Sequence, residues 1–307
     1  MSLPELSYVI PCGTWRHVDR VVGCLLEQEE AGRIELVLAG PLSLEDEIPA
    51  GARERLWGVK VVEGDPRQMH HARAAGMLAA TAPIAVVGET HCYPQPGWAG
   101  AMLAAFEDGQ WGAVGPRMEN ANPATGLSWA NLSLDYGPFL NPVRGEATAL
   151  PGQNSAVRTE LLEPYRDGLG ERMRMPYLFF CEMQADGQRL FVEPAARTAH
   201  LNVTDRGAWL TERFGAARVF ASDRRLDWPL WRRATYVVGS PAIPLLRLRR
   251  ALRDLRRGGG PVRAVPPLLF GLLASAVGEA FGYAAGAAAG DPRIFLVELD
   301  REAYAPR

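Results

Sequence analysis

Lysine is almost missing from this chain of 307 residues: Lys60 is the only one, so nearly all of its 33 basic residues are arginine. Together with the abundance of alanine and glycine, that is the usage of a GC-rich bacterial genome and points to no mechanism. Excess charge is lacking too. A formal net charge of -2 argues against general polyanion binding by the whole chain, so nucleic acid is not an expected partner. The four cysteines, Cys12, Cys24, Cys92 and Cys181, include no CxxC pair. Neither a zinc knuckle nor a disulfide framework is indicated, and reduced thiols are expected. The opening MSLPELSYVIPCG lacks a basic stretch followed by an apolar one and a small-residue cleavage site, which leads to the expectation of a cytoplasmic protein. No GxGxxG follows the first apolar run, which argues against a dinucleotide-binding oxidoreductase.

What is present is a core-forming chain, 48% hydrophobic and 22% charged. LSYVIPCG is a short β-branched run closed by Pro11 and Gly13, and HVDRVVGCLLEQ then sets Val18, Val21, Val22, Leu25 and Leu26 on one helical face. RIELVLAGP, VKVVEG and PIAVVGE read as further strands, with QMHHARAAGMLAAT as a helix before the last of them. Alternation of this kind demands crossovers, hence an α/β fold with a Rossmann-like, mostly parallel sheet flanked by helices, and ligands at the carboxyl ends of the strands. Pro11 to Gly13, Ala39 to Pro41 and Glu89 to His91 are therefore expected along one crevice. AGAMLAAFED reads as a helix and WGAVGPRME as a strand; residues 119–150 read as an irregular, substrate-facing stretch. GQNSAVRTELL reads as a helix opening at Gly152 and Asn154, PYLFFCEMQADG as another with Pro176 in its first turn, and RLFVEP as a last strand. His70 and His71 lack a spaced partner acid and read as surface residues.

The catalytic domain is expected over residues 1–205 and a helical C-terminal extension over 206–307. LLRLRRALRDLRRGGGPVR carries seven arginines against one aspartate, ahead of an apolar stretch interrupted by Glu279. The uncharged run on either side of Glu279 is shorter than the ~20 residues of a spanning helix. Gly278, Gly282, Gly286 and Gly290 recur at every fourth position and make a smooth helical stripe. Two readings stand: a helical hairpin packed on the protein body, or a basic, apolar segment on an anionic membrane surface.

The ordered set YVIPCG, RIELVLAGP, ARAAG, VVGETHCYPQPGW, GQNSAVR and GQRLFVEPAARTAH resembles the family 2 glycosyltransferases of the GT-A fold, over about the first two-thirds of the chain. The resemblance implies a sheet of GT-A type, a nucleotide-sugar donor, and a saccharide or lipid-linked acceptor. In that family the first strand ends in a Pro beside the nucleotide, which points to Pro11 and Gly13 here. An Asp-x-Asp holds metal and diphosphate; its two positions are Glu89 and His91, separated by Thr90. A late His completes the metal shell, here His200.

The chain also departs from that pattern. Ala39 and Gly40 stand where an acid for the nucleotide is usual, Ala74 where Asn is common, and Met175 and Pro176 where an acidic pair is expected. The base that would take the acceptor's proton is therefore sought in Glu182 or Glu171. Glu89, His91 and His200 as ligands favour Mn²⁺ over Mg²⁺, since imidazole suits the former better. In the metal-free alternative, His91, Thr90 and Arg73 donate to phosphate oxygens. Gly152 and Asn154 are candidate contacts to the donor sugar or acceptor. The function expected is inverting transfer of a sugar to an acceptor hydroxyl; the alternative is a glycosyltransferase-like binding protein that has lost turnover.

Overall fold

The computed structural model describes residues 3–286 and 297–305. Nine strands form one sheet: β1 (Leu6–Pro11), β2 (Ile34–Gly40), β3 (Gly58–Glu63), β4 (Ile84–Val87), β5 (Cys92–Pro94), β6 (Ala113–Asn120), β7 (Gly145–Ala147), β8 (Ala156–Arg158) and β9 (Leu190–His200). Helices α1 (Asp19–Leu26), α2 (Ala50–Arg55), α3 (Met69–Ala79), α4 (Trp98–Asp108), α5 (Gly126–Tyr136), α6 (Leu169–Arg172) and α7 (Pro176–Ala185) intervene. After the sheet come α8 (Arg206–Arg224), α9 (Leu230–Gly239), α10 (Ile243–Arg257) and α11 (Val265–Ala285). The strand order is β3-β2-β1-β4-β8-β6-β9-β5, with β7 pairing β9.

β1 through β4 pair in parallel, whereas β8 is antiparallel to both β4 and β6. β1, β2 and β4 are buried along their whole length, as near-continuous apolar runs in a covered parallel sheet should be. The polar exceptions lie at the sheet's other end. There the buried Glu35 carboxylate accepts hydrogen bonds from the Ser7 hydroxyl and from the Thr81 amide and hydroxyl, and pairs with Lys60 at 2.9 Å. The chain's one lysine is thus spent on a buried acid. α3 lies close on the sheet because a Cβ at Gly76 would fall 2.5 Å from Val9 Cγ1.

Two expectations fail here. GQNSAVR is not a helix start: Ala156–Arg158 is strand β8, followed by a 3-10 turn over Thr159–Tyr165. β4 ends with its Val87 amide and carbonyl paired to Ser155 O (2.9 Å) and Asn154 N (2.7 Å), and that pairing outweighs the local pattern. Within the stretch read as irregular lies α5, an eleven-residue helix whose first turn is capped by Thr125 Oγ1 accepting from the Ser128 amide at 3.1 Å.

The described chain divides into two compact units, residues 1–119 with 142–199, and 120–141 with 200–307. The second holds α5 and α8 to α11. Its centre is α11 laid along α8 in the same direction: a Cβ at Gly278 would meet Phe214 O at 2.3 Å, and one at Gly282 would meet Arg218 O at 2.4 Å. The glycine stripe is therefore consumed by close backbone packing of two helices; Gly290 lies outside the described residues. Although its uncharged runs are short, the helix over Val262–Ala285 is by length and composition long and apolar enough to cross a membrane. Its one acid, Glu279, is buried and paired with Arg247 at 2.6 Å.

Candidate active site

The carboxyl ends of β1, β2 and β4 adjoin one another as their parallel order requires. Pro11 is level with Ala39, the Cys12 amide donates to Ala39 O at 3.1 Å, and the Gly88 amide donates to Val9 O at 2.8 Å. A Cβ at Gly40 would stand 2.1 Å from Cys12 O, so the acid that the resemblance leads one to expect there has no room at that position. Gly13, by contrast, is half-buried and a Cβ would make only ordinary contacts, 3.7 Å from His17 and Pro66. Burial pushes the Cys12 thiol up to about 12, with a smaller push from Glu47, so it stays protonated at the site's edge.

β4 then delivers Glu89, Thr90 and His91, all buried. Glu89 Oε2 lies 3.3 Å from His91 Nε2 and accepts from Cys92 Sγ at 3.3 Å, while Oε1 accepts from Gln153 Nε2 at 3.2 Å. Thr90 Oγ1 stands 3.1 Å from His91 Nδ1, which leaves the other ring nitrogen turned to the carboxylate. Arg73 reaches the same carboxylate from α3, Nη2 at 4.0 Å from Glu89 Oε1, and its Nη1 donates to Met173 O at 3.0 Å. The Arg73 Nε is buried and makes no hydrogen bond among the described residues. A buried guanidinium with unspent donor capacity beside a carboxylate and an imidazole is suited to anion or metal–anion binding. An oxygen and a nitrogen 3.3 Å apart also suit two ligands of one small divalent cation.

Asn154 is fully buried and is the one non-glycine residue at positive φ (55°) among the described residues. Its Oδ1 accepts from Tyr8 Oη at 2.5 Å, and its Nδ2 donates to Cys92 O and to Thr198 Oγ1, both at 3.3 Å. It holds β1, β5 and β9 to the end of β4, with its amide spent on protein groups rather than at a helix N-terminus. Gly152 lies near α7: a Cβ there would sit 3.3 Å from the Tyr177 amide.

The two candidate bases are both ion-paired. Glu182, on α7, accepts from Arg172 Nε and Nη2 at 2.8–3.0 Å. Glu171, on α6, pairs with Arg174 and lies 3.4 Å from His71 Nε2. His70, His71 and Glu171 form a group whose ligand atoms lie within 4.8 Å of one another, so the partner acid absent from the helix arrives from a hundred residues away. Burial, followed by the charge of His71, pushes His70 down to about 4.

His200, the last residue of β9, opens the second unit. Its Nδ1 is 2.9 Å from Asn202 Oδ1, and its ring lies 4.9 Å from that of Tyr136. Burial first and Arg301 second push it down to about 3, so the imidazole is neutral and able to act as a ligand. Around it is a polar cluster that the sequence reading missed. Asn202 Nδ2 donates to Asn120 Oδ1 at 3.1 Å, Asn122 Nδ2 donates to Asn202 O at 2.8 Å, and the Trp209 indole donates to Asn131 Oδ1 at 3.0 Å. The signal available was the recurrence of asparagine in ENANP and HLN, visible but without a spacing rule to interpret it.

No family model and no curated protein matches this sequence. Among solved structures, the mannosyltransferase PcManGT of Pyrobaculum calidifontis, in complex with GDP-Man and Mn²⁺, is similar at a TM-score of 0.55 and 16% identity, over 91% of this chain and 88% of that one. The chain thus shares its fold with that structure, the Rossmann-like α/β architecture expected from its sequence. Two looser likenesses, to GalNAc-T7 with UDP, GalNAc and Mn²⁺ (TM-score 0.44, 16% identity, 65% and 44% covered) and to TarS of S. aureus (0.45, 12%, 97% and 91%), carry no further weight.

Proposed function

We propose that this chain transfers a sugar, as a hexosyl unit and with inversion, from a nucleotide-diphosphate donor to an acceptor hydroxyl of a saccharide or a lipid-linked sugar. The observation that carries the reading is the buried Glu89–His91 pair at the carboxyl end of β4, with Arg73 Nε unspent beside it. The departing diphosphate gains negative charge as the glycosidic bond breaks, and donors fixed in a site of low dielectric stabilise that charge most effectively. Arg73 would pair with the phosphate oxygens, and Glu89 and His91 would hold Mn²⁺ in preference to Mg²⁺. When bound, the cation supplies Lewis-acid stabilisation of the diphosphate. That a mannosyltransferase of the same fold was solved with GDP-Man and Mn²⁺ supports both assignments. The acceptor oxygen attacks the anomeric carbon opposite the leaving group, and its proton passes to a carboxylate, Glu182 or Glu171, once that group exchanges its arginine partner.

The test is release of nucleoside diphosphate from a panel of nucleotide sugars, with and without Mn²⁺. The native chain should turn over one donor with Mn²⁺ stimulation, and Glu89→Gln should lower the rate by about 10²–10⁴-fold while the fold persists by circular dichroism. Donor binding without release would instead identify a protein that kept the sheet and lost turnover. Full activity in Glu89→Gln with a lowered melting temperature would reduce the pair to a strand-end cap.

A further inference from the structure

α9 is built inside out. A surface helix ordinarily turns its apolar arc to the core. Here no residue of α9 is buried, and the arc that faces solvent carries Leu230, Trp231, Ala234 and Val238, at spacings that place them on one side. Leu230, Trp231 and Val238 are 79%, 71% and 80% exposed. The opposite side is the one engaged: Arg233 Nε donates to Trp228 O at 2.9 Å, and the Tyr236 ring packs on Trp228 and Tyr283. α10 continues the pattern with Leu245 and Leu246 exposed at its start. Its outward face then becomes an open trough lined by Leu246, Arg249, Arg250, Arg253, Arg256 and Arg257. Arg250 and Arg253 reach Asp254 at 3.6 and 3.4 Å. Arg249, Arg256 and Arg257 meet no acidic group among the described residues. α11 also turns Phe270, Leu273, Val277 and Phe281 outward.

Exposed aliphatic and tryptophan side chains over three helices exceed the scattered apolar surface of a water-facing protein. From this surface we infer that the second unit seats α9 and the start of α10 in an anionic lipid leaflet, with the α10 arginines on the headgroups. Charge selects the occupant. A second copy of the same face would bring like-charged arginine rows together, whereas an anionic leaflet supplies both the apolar layer for Leu230, Trp231 and Val238 and the phosphates for the guanidiniums. Tryptophan at the boundary is the side chain that such an interface favours. The inference stands on these helices alone and does not depend on sugar transfer.

The test is flotation of the full chain with vesicles of phosphatidylcholine alone and of phosphatidylcholine with phosphatidylglycerol. Binding should be confined to the anionic vesicles and weaken with salt. The triple variant Arg249→Gln, Arg256→Gln, Arg257→Gln should lose about a hundredfold in partition, at roughly fivefold per arginine near an anionic surface. Leu230→Ser with Trp231→Ser should lose binding while leaving the far-ultraviolet circular dichroism unchanged. Absence of flotation at low salt would overturn the inference, as would equal binding to neutral vesicles. A dimer in sedimentation that the Leu230→Ser, Trp231→Ser variant splits would overturn it by giving the face to a second copy, and salt-sensitive binding to RNA without binding to vesicles would give the arginine row to another polyanion.

Discussion

The two units differ in where they place arginine ion pairs and apolar side chains. In the first, the sheet buries Val, Ile and Leu, and ion pairs such as Arg33–Glu5, Arg166–Glu163 and Arg189–Glu146 stay at the surface, where each contributes little. In the second, charges go inside. Arg301 is buried between Glu212 and Glu298, at 2.8 Å from each, and Arg213 pairs with Asp135 at 2.6 Å. Leu230, Trp231 and Leu246, meanwhile, face out. The contrast is one of placement: the first unit leaves arginine ion pairs such as these at its surface, while the second buries Arg213 and Arg301 against carboxylates beside an apolar core of Ala130, Leu255, Leu268 and Leu272 and exposes other apolar side chains.

Substitutions at the buried groups of each unit test that contrast. Arg301→Met should cost about 3–5 kcal/mol in the second unit, because it strands the Glu212 carboxylate in the interior. The double variant with Glu212→Leu should recover much of the loss, as urea unfolding followed by intrinsic fluorescence would show; equal costs in single and double variants would remove the buried pair from the contrast. Gly282→Val should cost about 3 kcal/mol, since its Cβ would meet Arg218 O, a backbone atom that cannot rotate away. Hydrogen exchange should then show α8 and α11 opening together while β1 to β4 keep their protection.

The first unit offers a buried acid of its own. Burial alone would raise the Glu35 carboxyl, but hydrogen bonds from Ser7, Lys60 and Thr81 outweigh it and hold the group below its ordinary 4.5. Between the folded and unfolded values the unfolded chain binds the extra proton. The stabilisation is therefore complete above about pH 4.5 and is lost as the pH falls through the folded value. Glu35→Gln should cost about 2 kcal/mol at pH 7, and the gap between the melting temperatures of variant and parent should narrow as the pH falls below the ordinary carboxyl value and through the lower folded one. The smallest effect is expected at the outward face, where Trp231→Ser should change stability in water by less than about 0.5 kcal/mol by chemical denaturation. A larger loss would mean that α9 packs more than its exposure indicates.

Much of the first unit was legible because its signals are local. Val18, Val21, Val22 and Leu25 recur at helical spacing and are buried together, and strands ending in Pro11, Gly40 and Val87 could be ranked by apolar run and turn residues alone. The site was legible only in part. The Glu89-Thr90-His91 run marked itself by sitting where a buried strand stops. The partners of Glu89 came from three other places, Arg73 on α3, Gln153 before β8 and Cys92 on β5, and no spacing in the chain announces them. GQNSAVR misled because Asn154 takes a left-handed backbone and an amide network that only the neighbouring strands supply.

What the chain determined by itself was the alternation of strands and helices, the glycine stripe of α11, and the strand end where polar groups gather. These depend on periods of two and 3.6 residues and on turn chemistry, all set within a dozen positions. The tertiary structure alone decided which charges are buried against which, that Gly40 has no room for an acid, and which arc of α9 faces out. Those outcomes depend on the pairing of residues tens to hundreds of positions apart, and burial converts each such pairing from a weak surface contact into a condition of folding.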